Sequence, residues 1–118
     1  ADVLCELYRQ LNILYYGEDI VIDHELDMEW ARIPHFYYNY YVYQYATGFS
    51  AAIALSQRIL KEGAPAVKDY IGFLSGGCSK DPISLLKGAG VDMTSTKPVT
   101  DALKLFGELI DEMEELMK

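Results

Sequence analysis

The densest group of side chains capable of chemistry lies in residues 33–48, where one histidine stands among a run of tyrosines. His35 follows Pro34, which restricts the backbone at the start of the segment and biases Ile33 away from a helical conformation. We therefore expect the imidazole at a boundary between two elements. The tyrosines that follow it are Tyr37, Tyr38, Tyr40, Tyr41, Tyr43 and Tyr45.

So many phenols are unusual for a protein interior, because each buried hydroxyl needs a hydrogen-bond partner and an unpaired one costs about 1–3 kcal/mol. The run therefore indicates the wall of a polar cavity, where the rings give stiff contact area and the hydroxyls donate hydrogen bonds to a substrate carbonyl. The alternative is a packing role, since a histidine beside aromatic residues is often a hydrogen-bonded core residue. The segment alone leaves both interpretations open.

The composition indicates a folded domain with acidic surfaces. The chain has 118 residues, 51% of them hydrophobic, so we expect one domain at most, covering residues 1–118. The formal net charge is −8, and the acids concentrate in residues 18–29 and 108–115. Because these stretches cannot neutralise phosphates, we expect neither nucleic acid nor an anionic membrane as a partner.

The cysteines and the first residues bear on the cellular setting. Cys5 and Cys78 are far apart without a Cys-x-x-Cys spacing, and none of these residues reads as a secretory leader or a long apolar span. We expect reduced thiols and a cytoplasmic location. The helical apolar pattern already runs at Ala1 and Val3, which leads us to expect a piece of a larger protein.

The elements that must position the tyrosines are predicted to be helices. Apolar residues recur at helical spacing between Leu4 and Tyr15, and Gly17 should end this first helix. After an extended connector, a short helix is expected between His24 and Ile33. Glycine and proline boundaries then predict helices over residues 46–60, from Pro65 to Gly76, from Pro82 to Gly88 and from Pro98 onward. The predicted fold class is all-α, an irregular array of several helices.

Residues 46–60 are apolar on nearly every side of a helix, which is typical of a buried helix. The stretch is too short and too polar for a membrane span, so it should be buried against protein. A chain of this size has few helices with which to enclose a central one. We expect the cover to come from a larger parent protein or from an intimate homo-oligomer that packs through exposed apolar helices.

His24-Glu25 could begin a zinc-binding His-Glu-x-x-His motif, in which two imidazoles one helical turn apart bind the metal. The fifth position is Met28, so the second imidazole is missing. We predict no metal ligands in this chain.

Four stretches of the sequence are informative in combination. They are Tyr-Tyr-Gly-Glu-Asp at 15–19, Glu-Trp-Ala-Arg-Ile-Pro-His-Phe-Tyr-Tyr at 29–38, Tyr-Val-Tyr-Gln-Tyr-Ala-Thr-Gly-Phe-Ser-Ala-Ala at 41–52, and Leu-Leu-Lys-Gly-Ala-Gly-Val-Asp-Met-Thr-Ser at 85–95. In this combination they resemble the C-terminal part of oligoendopeptidase F, a family grouped with the thimet-oligopeptidase-like zinc peptidases. The resemblance covers nearly the whole chain.

This resemblance implies a mainly helical, zincin-like peptidase that encloses a deep channel and hydrolyses short peptides. Its zinc would be bound by a His-Glu-x-x-His motif and a further glutamate, none of which lies in these residues. The full-length enzyme is therefore expected to contain zinc, whereas this fragment is expected to bind none and to be inactive alone. Its partners would be an oligopeptide substrate and the remainder of the catalytic domain.

The resemblance also assigns roles within the tyrosine run. The fragment would supply the channel wall that faces the zinc, with His35 binding the substrate backbone. Tyr40 and Tyr43, three residues apart and so expected on one helical face, are the candidates for catalytic hydrogen bonds to the oxyanion. Tyr37, Tyr38 and Tyr41 are substrate-binding candidates, and each remains an alternative donor.

The rival hypothesis is a non-catalytic helical module whose tyrosine-rich surface binds a partner peptide or a sugar. The continuous apolar helix argues against such a freestanding module.

Overall fold

The computed structural model describes all residues from 1 to 118, and it is all-α, as predicted. The α-helices are α1 (Asp2–Tyr16), α2 (Gln44–Glu62), α3 (Ala64–Ser75), α4 (Pro82–Gly88) and α5 (Lys97–Leu116). Two 3-10 helices, His24–Arg32 and Pro34–Tyr37, lie between α1 and α2. The chain divides into an N-terminal unit, Ala1–Tyr43, and a C-terminal unit, Gln44–Lys118.

The N-terminal unit follows its local sequence signals closely. Helix α1 ends where predicted, because Gly17 adopts a φ of 83°, which costs glycine little. Residues 20–22 form no strand, in agreement with the expected connector. The helix predicted from His24 is present, although with the tighter 3-10 geometry, and it ends at Arg32 before Ile33 and Pro34.

The C-terminal unit is built on α2, which packs against both α3 and α5. Its buried core consists of Ala51, Leu55, Ala89 and Val91, with Tyr70 and Phe73 among the partly buried residues around it. Small side chains on α2 allow this close approach of helices. Two predicted boundaries are confirmed: Asp81 caps α4 by accepting a 2.9 Å hydrogen bond from the Ser84 amide, and α5 begins at Lys97.

An arginine holds the turn after α4 against α2. Arg58 donates hydrogen bonds to the Ala89 carbonyl at 2.6 Å, to Asp69 at 2.8 Å and to Glu62 at 2.9 Å. The hydrogen bond that Arg58 donates to Asp69 is the main cause that raises the pKa of Arg58. Gly90 adopts a φ of 83°, and a side chain there would approach the guanidinium to 2.6 Å, so the turn requires glycine.

Within this chain residues 46–60 are not covered on every side, and the expected cover from a larger parent protein or an oligomer stays a prediction. Only Ser50, Ala51 and Leu55 of α2 are buried, while Phe49 and Leu60 are 69% and 79% exposed. The physical reason is that α2 packs mainly against α3 and α5, which leave part of its surface uncovered. No helix of the chain is both long enough and apolar enough to span a membrane.

Candidate functional site

The aromatic segment of residues 33–43 is held by consecutive turns. Pro34 opens the second 3-10 helix, and the Phe36 amide donates to the Ile33 carbonyl at 3.2 Å. The next turns are closed by the Tyr38 amide on the His35 carbonyl and by the Tyr41 amide on the Tyr38 carbonyl, both at 3.3 Å. His35 therefore lies at an element boundary, as Pro34 predicts.

Three of the predicted site residues form one aromatic cluster. The rings of His35 and Tyr41 lie 5.4 Å apart at an angle of 42°, and those of Tyr38 and Tyr41 lie 5.9 Å apart edge to face. Both distances are within the range of favourable aromatic pairs. His35 and Tyr41 are half-buried, whereas Tyr38 is exposed. Tyr41 thus contacts the rings of both His35 and Tyr38.

Tyr40 and Tyr43 do not share a helical face, so that premise of the sequence analysis is wrong. Tyr40 has a φ of 58° and is the one non-glycine residue of the chain with a positive φ. Such a conformation costs an ordinary side chain roughly 1–2 kcal/mol and prevents a helix from continuing through it. Helix α2 begins only at Gln44, and Tyr40 and Tyr43 lie in turns, 79% and 58% exposed.

The Tyr37 side chain is hydrogen-bonded to the protein backbone. Its hydroxyl donates a 2.8 Å hydrogen bond to the Ala31 carbonyl, which ties the second 3-10 helix to the first. The hydroxyl proton is therefore engaged by the Ala31 carbonyl, although the hydroxyl oxygen can still accept a hydrogen bond.

An apolar hollow of about 370 Å³ lies beside this segment. It is lined by Leu4, Leu7, Tyr8, Leu11, Trp30, Phe36 and Tyr37. The indole N–H of Trp30 is buried and has no hydrogen-bond partner within the chain. Trp30 thus lines the hollow together with residues of α1.

Two polar clusters join α1 to the first 3-10 helix. Asp27 is 4% exposed, accepts a hydrogen bond from Arg9 at 3.1 Å and has an oxygen 2.5 Å from Nδ1 of His24. Glu29 accepts a hydrogen bond from the Tyr8 hydroxyl at 3.3 Å and pairs with Arg32. Burial, followed by the Glu29 charge, raises the pKa of Tyr8.

Sequence reasoning missed these clusters because it treated residues 18–29 as one solvated acidic stretch. The spacing of His24 and Asp27, three residues apart, is a local signal that could have indicated a pair. The Arg9 contact spans eighteen positions and has no such signal. No group of three or more His, Cys, Asp or Glu residues in the chain is placed so that it could hold a metal ion.

Comparisons with known proteins place this geometry in context. The model of the family described as "Peptidase family M3" matches residues 1–105 of this chain. The Oligopeptidase PepF of Bacillus subtilis (strain 168) is 61% identical over 116 residues, which cover 98% of this chain and 17% of that protein. The Group B oligopeptidase PepB of Streptococcus agalactiae serotype III (strain NEM316) is 44% identical over 117 residues, which cover 99% of this chain and 20% of that protein.

The fold is shared with a solved structure. The crystal structure of oligoendopeptidase-F from Enterococcus faecium superposes with a TM-score of 0.86 at 45% sequence identity, covering 99% of this chain and 22% of that one. The chain therefore spans about a fifth of the length of these relatives.

Proposed function

This chain belongs to peptidase family M3, as its resemblance to oligoendopeptidase F predicts, and we propose that it is the C-terminal part of the catalytic domain of a zinc-dependent oligoendopeptidase. The observation that carries the proposal is the family match over residues 1–105. Its relatives are named oligopeptidases, which supports an oligopeptide as the substrate of the full-length protein. We place that protein in the cytoplasm.

The proposed role of this chain is to bind the substrate and to stabilise the transition state. His35 hydrogen-bonds the peptide backbone, and Tyr41 keeps the imidazole in place through the 5.4 Å ring contact. Tyr38 adds an exposed phenol beside them. Tyr37 sets the position of the segment through its bond to the Ala31 carbonyl and contacts substrate with its ring.

Tyr40 and Tyr43 are the proposed donors to the oxygen that becomes negatively charged in the tetrahedral intermediate. A phenol strengthens its hydrogen bond as charge develops and need not ionise. The left-handed backbone at Tyr40 supports this role, because strained residues cluster at functional sites where the surrounding structure maintains them. Both rings are exposed within this chain, as groups that face a substrate channel would be.

The residues of this chain do not fit a zinc site, because none of its acids, histidines and cysteines are grouped for one. Any zinc would therefore be held by residues outside positions 1–118, together with the general base. It would supply Lewis-acid chemistry there. For the same reason we propose that the isolated chain does not turn over peptides.

The experiment that tests this function uses the full-length protein with single Tyr→Phe and His→Ala substitutions. Tyr40→Phe or Tyr43→Phe should lower kcat by about 10²- to 10³-fold, the usual effect of one oxyanion donor, without changing the zinc content. His35→Ala should act mainly on KM. Cys78→Ser, a change at an exposed residue outside the segment, serves as the control. Unchanged kcat in every tyrosine variant would refute the assignment.

A further inference from the structure

Two neighbouring residues of α1 hold the first 3-10 helix, His24–Arg32, in place. Arg9 donates a 3.1 Å hydrogen bond to Asp27, and the Tyr8 hydroxyl donates a longer one, of 3.3 Å, to Glu29. The two contacts use alternate acids of the 3-10 helix and span eighteen and twenty-one positions of the sequence. They are therefore tertiary contacts, which fix the placement of this helix against α1.

The Arg9 contact is the stronger of the two. Asp27 is 4% exposed and the Arg9 side chain is 34% exposed, so water screens this charge-assisted hydrogen bond less than it screens a surface pair. The Tyr8 contact is longer, but burial and the charge of Glu29 raise the pKa of Tyr8, so its hydroxyl keeps the proton that it donates. Arg9 thus provides the main contact and Tyr8 a second, weaker one.

The other end of the same 3-10 helix is joined to the segment that carries His35. The Ala31 carbonyl accepts the 2.8 Å hydrogen bond from the hydroxyl of Tyr37. Tyr37 is the last residue of the second 3-10 helix, Pro34–Tyr37, which contains His35. Ile33, between the two helices, is extended with φ −85° and ψ 108°, so no continuous helix sets the angle between them. The Tyr37 hydrogen bond therefore links the placement of the second helix to that of the first.

These contacts form one connected path from α1 to the imidazole. A 3-10 helix has poorer hydrogen-bond geometry than an α-helix, so its placement depends more on tertiary contacts. The path from Arg9 through Asp27 to the Ala31 carbonyl determines where the Tyr37 hydrogen bond holds the second helix, and His35 with it. Small displacements matter, because misplacing a positioned group by about 1 Å can lower activity by up to about 10²-fold.

We propose that Arg9, with Tyr8 as the weaker second contact, is a positioning residue for substrate binding. It does not contact the substrate. It acts through Asp27 and the first 3-10 helix, which place His35 against the peptide backbone. This inference rests on the proposed binding role of His35.

Steady-state kinetics of the full-length protein test the proposal. Arg9→Gln should raise KM about five- to tenfold with kcat within about twofold, because part of the energy of the lost hydrogen bond is transmitted to substrate binding. The bond uses one guanidinium nitrogen, so Arg9→Lys keeps a charged donor and should restore most of the original KM. Tyr8→Phe should raise KM about threefold. Tyr15→Phe, the same change at a residue of α1 that is 81% exposed, is the control and should leave KM unchanged.

A double substitution distinguishes positioning from a contribution to stability alone. A purely structural role would lower Tm while leaving KM and kcat of the folded protein unchanged. In the His35→Ala background, Arg9→Gln should change KM by less than about twofold, because the group that it positions is absent. If Arg9→Gln does not fold, Tyr8→Phe takes its place in the same comparison.

The outcomes separate this inference from the proposed function. If His35→Ala raises KM, the inference is overturned by an unchanged KM in both Arg9→Gln and Tyr8→Phe, by an equal rise in Arg9→Lys, or by effects that add to that of His35→Ala. If His35→Ala itself leaves KM unchanged, the proposed binding role of His35 is refuted and the inference is refuted with it.

Discussion

Asp27 gives the sharpest test of what stabilises the N-terminal unit, because it is the one buried charged residue of the chain. Its carboxylate accepts a hydrogen bond from Arg9 on α1 and contacts the imidazole of His24 at the start of the first 3-10 helix. Replacing it with alanine removes both acceptors while leaving the apolar contacts of Trp30 and Phe36 in place.

The expected cost follows from the exposure of the partners. The Arg9 side chain is 34% exposed, so its charge-assisted hydrogen bond to Asp27 should contribute about 1.5–3 kcal/mol. The His24 side chain is 90% exposed, and a contact so well solvated adds at most about 1 kcal/mol. Arg9 can reach water in the variant, so no stranded charge is added. Asp27→Ala should therefore destabilise the local structure by about 2–3 kcal/mol.

Hydrogen exchange in the full-length protein measures this local loss of stability. Amides of residues 24–37 should exchange roughly 30- to 150-fold faster in Asp27→Ala, since 1.4 kcal/mol corresponds to a factor of ten. Asp23→Ala is the matched control, because Asp23 is exposed and its side chain makes no capping hydrogen bond. Equal exchange in the two variants would refute the view that Asp27 anchors the segment leading to His35.

Three further predictions concern the C-terminal unit in the 118-residue chain. Gly107→Ala should stabilise α5 by about 0.5–1 kcal/mol in urea denaturation, because the position is helical and open, whereas Gly90→Ala should destabilise through its positive φ and the contact with Arg58. Leu55→Ala should cost about 2–5 kcal/mol, with the exposed Leu60→Ala costing far less. The hydrogen bonds that Ser84 donates lower the pKa of Asp81 below 3.8, so the cap contributes its full stability above pH 3.8. This contribution is lost as the pH falls through the lower pKa of Asp81 in the folded state. Acid denaturation of Asp81→Asn should therefore lack it.

Local signals in the sequence predicted the helix boundaries well. Gly17 and the Asp81-Pro82 pair act on their immediate neighbours, and the structure places helix ends at both. The burial of α2 could not be predicted in the same way, because burial depends on which other helices are present. Residues 46–60 carry the pattern of a fully enclosed helix, although this unit covers only part of its surface.

The segment that forms the candidate site was predicted from the sequence, but the geometry of that segment was not. The residue types placed His35 and the tyrosines in one functional group, and the structure brings His35, Tyr38 and Tyr41 together. The left-handed backbone of Tyr40 has no local sequence signal, because tyrosine rarely adopts it, and so spacing alone wrongly suggested a helical face.

We propose that phenols at positions 40 and 43 stabilise the charged oxygen of the transition state. The most direct measurement compares, in the full-length protein, the binding of a tetrahedral phosphinic peptide with the turnover of the matching substrate, for Tyr40→Phe and Tyr43→Phe. If either phenol is the donor, its removal should weaken inhibitor binding by the same factor that it lowers kcat/KM, about 10²- to 10³-fold. Unchanged inhibitor affinity and unchanged kcat/KM in both variants would contradict the account.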